Sequence, residues 1–217
     1  RDLLHFFRVF GKYLWCRLRR EEKPAIITNE SLWKKQTGGR DGNTMILSYQ
    51  DKAPEISPDA YIAETAQIIG DVVIGEDTYI GHNCVIRGDC RRIVVGNRTN
   101  LQDGCILHCG HEEDLVIGDG VTVGHGAILH SCTIKDGALI GMGSIVLDGA
   151  VIGKEAMIGA GALVTGHKQI LDGFVALGSP AQPVRALTEE EKQGMRANAE
   201  EYVRFADEYK VMQQMDL

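Results

Sequence analysis

The sequence predicts a mainly β fold: a left-handed parallel β-helix of hexapeptide repeats, about six coils long, followed by a C-terminal α-helix packed along it. Three observations carry that prediction. An aliphatic residue recurs every six positions in unbroken runs: Ile62, Ile68, Ile74, Ile80 and Ile86; Val95, Leu101 and Leu107; Ile117, Val123 and Leu129; and Ile134 through Ile140, Val146, Ile152, Ile158 and Val164 to Ile170. A small residue sits two places before many of them, as at Thr78, Cys84, Cys105, Ala127, Cys132, Ala138 and Ser144. Glycine often follows the aliphatic, as at Gly75, Gly81, Gly118, Gly124 and Gly141.

A period of six is neither helical nor simple alternation. It suits a chain that turns a corner every six residues, with the large and the small residue both facing inward. Three sides close a coil of 18 residues, so the 18 marked positions give about six coils, a prism roughly 29 Å long at a strand spacing of ~4.8 Å. Two interruptions break the period. Three extra residues lie between Ile86 and Val95, and four between Leu107 and Ile117.

Register then places the histidines. His108 and His130 are 22 apart, and removing the four-residue insertion leaves 18. They stack in one column, one coil apart, each directly after an inward aliphatic. Arg87 precedes His108 in that column. His125 lies on another side, with Asp103 and then His82 before it in its own column. Two imidazoles stacked about 5 Å apart can share a metal, whereas a third on another side reaches it only from a neighbouring chain. Three neutral imidazoles and one open position make a catalytic zinc arrangement. Iron or cobalt remains possible, since imidazoles discriminate weakly.

The segments RGD (Arg87–Asp89), TNLQDG (Thr99–Gly104), Leu107-His108, VTVGHGAILH (Val121–His130) and the tail LGSPAQPVRALTEEE resemble the gamma-class carbonic anhydrase family over about Met45 to Lys210. The resemblance implies a homotrimer with zinc at each subunit interface. His108 and His130 would come from one chain and His125 from the next. It also implies supporting roles for Arg87, Asp89, Asn100, Gln102 and Asp103, and a position near the metal for Tyr202, which is equally one residue of a packing stripe. The implied reaction is reversible hydration of carbon dioxide to bicarbonate by a metal-bound hydroxide. Gln102 and Asn100 are amides suited to orienting the hydroxide or bonding the bicarbonate. Arg87 is expected to pair with Asp89 or Asp103.

One departure stands out. The family prototype is expected to move protons through glutamates on two acidic loops. Here Cys90, Arg91 and Arg92 follow Asp89, and the loop after His108 offers His111, Glu112 and Glu113. Fast hydration is therefore less secure than metal binding. The alternatives are a hexapeptide-repeat acyltransferase and a metal-binding homologue with little or no activity.

The remaining chain is expected to divide into a basic extension over 1–44, a β-helix domain over 45–186 and a C-terminal helix over 187–217. Residues 1–44 hold ten Lys and Arg against five Asp and Glu, and the rest hold 13 against 25. The opening LLHFFRVFGKYLWCRLRR is too short and too charged to span a bilayer. It suits an amphipathic surface helix, an Arg-rich targeting segment or, the preferred expectation, an extension outside the mature protein with Met45 as its start. Thr188 and Glu191 form a capping-box pattern, and Met195, Ala199, Tyr202, Ala206 and Tyr209 recur at helical spacing. Six cysteines without a C-x-x-C spacing suit a reducing cytoplasm. The acidic body presents no basic stripe, which argues against nucleic acid as a partner.

Overall fold

The computed structural model describes residues 45–215. The basic extension expected over 1–44 lies outside the described residues. Among these described residues twenty strands and one helix follow in order, and the strands form three faces of a parallel β-helix.

The first face stacks β1 (Met45–Leu47), the start of β4 (Gln67–Ile74), the start of β6 (Val85–Val95), β8 (Ile106–His108), β11 (Ile128–His130), β14 (Ile145–Val146) and β17 (Leu163–Val164). The second stacks β2 (Glu55–Ile56), the ends of β4 and β6, β9 (Leu115–Ile117), β12 (Thr133–Ile134), β15 (Val151–Ile152) and β18 (Gln169–Ile170). The third stacks β3 (Tyr61–Ile62), β5 (Tyr79–Ile80), β7 (Asn100–Leu101), β10 (Thr122–Val123), β13 (Leu139–Ile140), β16 (Met157–Ile158) and β19 (Phe174–Gly178). Each face therefore has about seven rungs, one more turn than the repeat count predicts. The first turn escapes the count because Ile56 follows Ile46 by ten positions, not six; they pair with Ile74 and Ile68. The last escapes because Ala176, beside Ile158, occupies the aliphatic position.

Every marked aliphatic does point inward. On the first face Ile68, Ile86, Leu107, Leu129, Val146 and Val164 form one registered column, each fully buried. Each such side chain contributes about 1.5–3 kcal/mol of transfer free energy. The small residues fill the corners between these columns: Cys84, Cys105, Ala127, Cys132, Ala138, Ser144 and Ala150 are buried. Coils approach closely at the glycines. A Cβ on Gly141 would lie 2.5 Å from the Ala160 nitrogen and 2.7 Å from the Ile158 oxygen.

After β19 the chain reverses at Ser179-Pro180 into β20 (Ala181–Ala186), which pairs antiparallel and ends the third face. The helix α1 (Glu189–Met215) then runs back over that face. Its start is the expected capping box: the Glu191 N–H donates to Thr188 Oγ1 at 3.2 Å, and the Thr188 N–H donates to Glu191 Oε2 at 2.9 Å. Met195, Ala199 and Ala206 are buried beneath it. An aromatic cluster pins its second half: Tyr61 stacks on Tyr79 at 5.1 Å, Tyr202 meets Tyr79 edge-on at 5.2 Å, and Tyr209 lies 5.3 Å from Tyr61. Such pairs add about 0.5–1.5 kcal/mol each beyond area burial. The described helix is not long and apolar enough to cross a membrane.

Candidate metal centre

The predicted column is present. Arg87 pairs with His108, and His108 with His130, across adjacent rungs of the first face. Outward residues on a strand stand one rung apart when their register is exact, so the rings are neighbours with centroids at 5.1 Å and planes tilted by 54°. His108 Nδ1 lies 3.1 Å from His130 Nε2. The far nitrogens are held by carboxylates: His108 Nε2 sits 3.0 Å from Asp89 Oδ1, and His130 Nδ1 sits 2.8 Å from Asp148 Oδ1. Arg87 bonds the other oxygen of Asp89, which settles its pairing in favour of Asp89 over Asp103.

Electrostatics follow from these contacts. Burial, reinforced by the Arg87 charge, holds the His108 imidazole below its ordinary pKa against the opposing pull of Asp89. Burial pushes the Asp89 carboxyl up, but hydrogen bonds from Arg87 and His108 outweigh it, so the net shift is downward. Asp89 is thus an anion aimed at the remote nitrogen of His108, the arrangement that fixes the tautomer of a metal-ligating imidazole.

A divalent ion fits this donor set. Two nitrogens bound tetrahedrally at 2.0–2.1 Å lie ~3.3 Å apart, and the facing nitrogens are separated by 3.1 Å. With both remote nitrogens donating to carboxylates, the two facing nitrogens present lone pairs to each other. Lone pairs at that distance repel unless a proton or a cation stands between them.

His125 occupies the corner after β10. Its Nδ1 lies 3.4 Å from Asp103 Oδ2, and both side chains are about half exposed. Among the described residues, His108, His125 and His130 do not converge within one chain. The group of three ligand-type side chains with donor atoms within 4.8 Å of one another is Asp89, Cys90 and His108.

The amides form a relay that leads to the His125 backbone. Thr122 Oγ1 donates to Asn198 Oδ1 of α1 at 3.2 Å and accepts from Asn100 Nδ2 at 2.9 Å. Gln102 Nε2 donates to Asn100 Oδ1 at 3.4 Å, and Gln102 Oε1 accepts the His125 N–H at 3.2 Å. Asn100 is fully buried and engaged at both ends of its amide. Tyr202 sits in the aromatic cluster, against Tyr79 and Phe205. Burial, then the charge of Asp103, raises its pKa.

Sequence reasoning missed Asp148 as the partner of His130. The signal was available: Asp148 is 18 residues beyond His130, one uninterrupted coil later. It also missed the buried Asp71, whose carboxylate is bonded by Lys52 and by Arg92 Nε at 2.9 Å. That cluster ties the first turn to β6.

The repeat ladder and its outward histidine pair define the chain as a hexapeptide-repeat β-helix protein. The profile of the "Bacterial transferase hexapeptide (six repeats)" family matches residues 53–88 and 131–166. The chain is 52% identical over 170 residues to a carbonic anhydrase of Geobacillus kaustophilus, covering 78% of this chain and 93% of that one. It is 41% identical over 167 residues to the mitochondrial gamma carbonic anhydrase 2 of Arabidopsis thaliana, covering 74% of this chain and 60% of that one. A crystal structure of a provisionally named acetyltransferase from Bacillus cereus superposes with a TM-score of 0.78 at 48% identity, over 78% of this chain and 99% of the other. With this identity over more than two thirds of its length, the chain belongs to the gamma-class carbonic anhydrase family.

Proposed function

We propose that the protein is a metal-dependent hydratase that interconverts carbon dioxide and bicarbonate, working as a homotrimer with its metal sites shared between neighbouring chains. The observation that carries the reading is the facing of His108 Nδ1 and His130 Nε2 at 3.1 Å with both remote nitrogens on carboxylates. A divalent ion between the facing nitrogens would bind both imidazoles while each keeps its bond to a carboxylate. His125 of the next chain supplies the third imidazole, with zinc the preferred ion and iron or cobalt able to replace it. The relatives named carbonic anhydrases support the activity.

The surface of the first face supports the shared site. Val85, Ile106, Ile128, Ile145 and Leu163 form an outward aliphatic column in register. Ile106 is 44% and Ile128 36% exposed, directly beside His108 and His130. The third face hides its outward residues under α1, whereas this one carries an apolar stripe with a half-built site on it. A second copy covers both needs.

A zinc-type ion held there lowers the pKa of a bound water to about 7 and so makes a nucleophile available at neutral pH. The chain's own residues do the rest. Asp89 and Asp148 orient the two imidazoles, and Arg87 holds Asp89. Gln102 positions the His125 backbone from the buried Asn100 relay, and its second amide N–H is the donor this reading assigns to a developing bicarbonate. Asp103 orients His125, and Tyr202 packs edge-on against Tyr79 in the aromatic cluster. His111, Glu112 and Glu113, on the exposed loop beyond His108, take protons to solvent. Among the described residues Cys84, Cys90, Cys105, Cys109 and Cys132 are all free, which supports a reducing cytoplasm.

An acyltransferase is the second reading, favoured by the acetyltransferase name of the Bacillus cereus neighbour. It requires one basic histidine beside an acyl-donor groove and has no use for a carboxylate behind each of two stacked imidazoles. Elemental analysis of anaerobically purified full chain, followed by stopped-flow hydration of carbon dioxide on the same sample, separates the readings. About one metal per chain with rapid hydration is expected. Metal without hydration would leave a catalytically quiet homologue, and metal-free protein that transfers an acyl group would overturn the proposal.

A further inference from the structure

The two interruptions of the repeat stack on each other at one corner of the prism. Arg87 pairs with His108 before the corner, and Ile93 pairs with Leu115 after it. The extra residues between these anchors bulge outward from both rungs. Cys90 rides on the upper bulge and His111 on the lower, with Cys90 Sγ 3.9 Å from His111 Nε2. Arg91 clamps the two bulges together through Asp114 at 2.7 Å. The other nearby thiol, Cys109, is buried and donates to the Arg91 carbonyl at 3.0 Å, so it does not compete. Asp89 adjoins the thiol from the side of the histidine pair: its donor oxygen, Cys90 Sγ and the His108 nitrogen lie within 4.8 Å of one another.

A thiolate, an imidazole and a carboxylate make a donor set for a soft or borderline divalent ion. For tetrahedral zinc, with sulfur at about 2.3 Å and nitrogen at 2.0–2.1 Å, the two donors are ~3.5 Å apart. The observed separation is a few tenths of an ångström wider, within reach of a loop side chain. An ion there displaces the thiol proton on binding.

We propose that Cys90 and His111, with Asp89, form a second divalent-cation site for an ion of the zinc or cadmium type, next to the histidine pair but built from different first donors. Asp89 couples the two. Drawn onto the second ion, it leaves His108 Nε2, so filling the second site loosens the first. An excess of a soft divalent ion therefore inhibits. Because neither His125 nor His130 contributes, cation binding at the second site is tested apart from the carbon dioxide reading, and only the inhibition rests on it.

The test is a cadmium titration of the full chain in the presence of a non-thiol reductant, following the near-ultraviolet thiolate-to-cadmium absorption. Wild type and His130→Ala are expected to show the band, Cys90→Ser to lack it, and His111→Ala to bind cadmium at least about tenfold more weakly. Alkylation of Cys90, located by mass spectrometry, is a second readout, with cadmium expected to slow it at least about tenfold. A band that survives Cys90→Ser unchanged, or an alkylation rate that ignores cadmium, would overturn the proposal. Loss of the band in His130→Ala would also overturn it, since the thiolate would then be serving the first site.

Discussion

Asp89 and Asp148 stand behind the two stacked imidazoles in the same way, yet they should not matter equally. The side chain of Asp89 is 20% exposed and bonded by Arg87, whereas that of Asp148 is 56% exposed. A carboxylate behind a ligating histidine is worth about 10–100-fold in metal affinity, or about 1.4–2.7 kcal/mol. Asp89→Asn keeps the volume and removes the charge, and should lose that full amount. Asp148→Asn removes a charge already screened by water, and should lose less than about tenfold. Competition for zinc against a chromophoric chelator, at fixed pH and ionic strength and in a Cys90→Ser background that removes the second site, reads both variants. Thermal melts in excess chelator separate folding from binding. Arg87, left without its partner in Asp89→Asn, is 42% exposed and can rehydrate, so the fold should survive. Equal losses in the two variants, or a larger loss in Asp148→Asn, would refute the assignment of unequal orientation. No loss in either would refute the site.

Other perturbations probe the scaffold. Gly141→Ala should destabilise by about 3 kcal/mol or more, because its Cβ would strike the backbone of the next coil. Gly143→Ala, at φ +66 with open space around it, should cost only about 1–2 kcal/mol of left-handed backbone strain; urea unfolding of the two variants reads the contrast. Thr188→Ala removes the N-cap bond to the Glu191 N–H and should cost about 1 kcal/mol, seen in the same assay. The Tyr61 phenol is pushed up to about 12, chiefly by burial and then by Tyr209. A raised phenol stabilises fully below the unfolded value of about 10, and its contribution is lost as pH rises through the folded value. Unfolding free energy should therefore fall from about pH 10 upward, with phenolate absorbance of the buried tyrosines lagging that of a denatured control; titration of all six tyrosines together would contradict the packing described.

Much of this was legible in the sequence because the fold is periodic. One inward aliphatic every six residues fixes both the face and the coil of each neighbour, so the His108–His130 pairing follows by subtraction once the four-residue insertion is removed. Arg87 follows by the same arithmetic. The capping box at Thr188 and Glu191 was equally readable, because a three-residue spacing carries its whole geometry. The ends of the prism were not. A spacing of ten positions from Ile46 to Ile56 hides the first turn, and Ala176 looks like a small residue when it fills a large one's column. Asn100 gave no sign of burial, since an amide is ordinarily solvated. Only the helix lying over the third face, with Asn198 reaching Thr122 at 3.2 Å, encloses it. Asp148 resembled the other corner acids, such as Asp119 and Asp136, which accept backbone N–H groups from the preceding coil. What distinguishes it is the histidine one rung away.

The central claim is that one metal site is assembled from His108 and His130 of one chain and His125 of the next. Co-expression of His108→Ala and His125→Ala chains in equal amounts tests it most directly. Each variant alone, carrying Cys90→Ser so that the second site is removed, should be metal-free after dialysis. Randomly mixed trimers should regain metal in about one quarter of their sites, because that fraction of interfaces unites an intact pair with an intact His125. Metal retained by His125→Ala alone, or no recovery in the purified mixed trimers, would contradict the account.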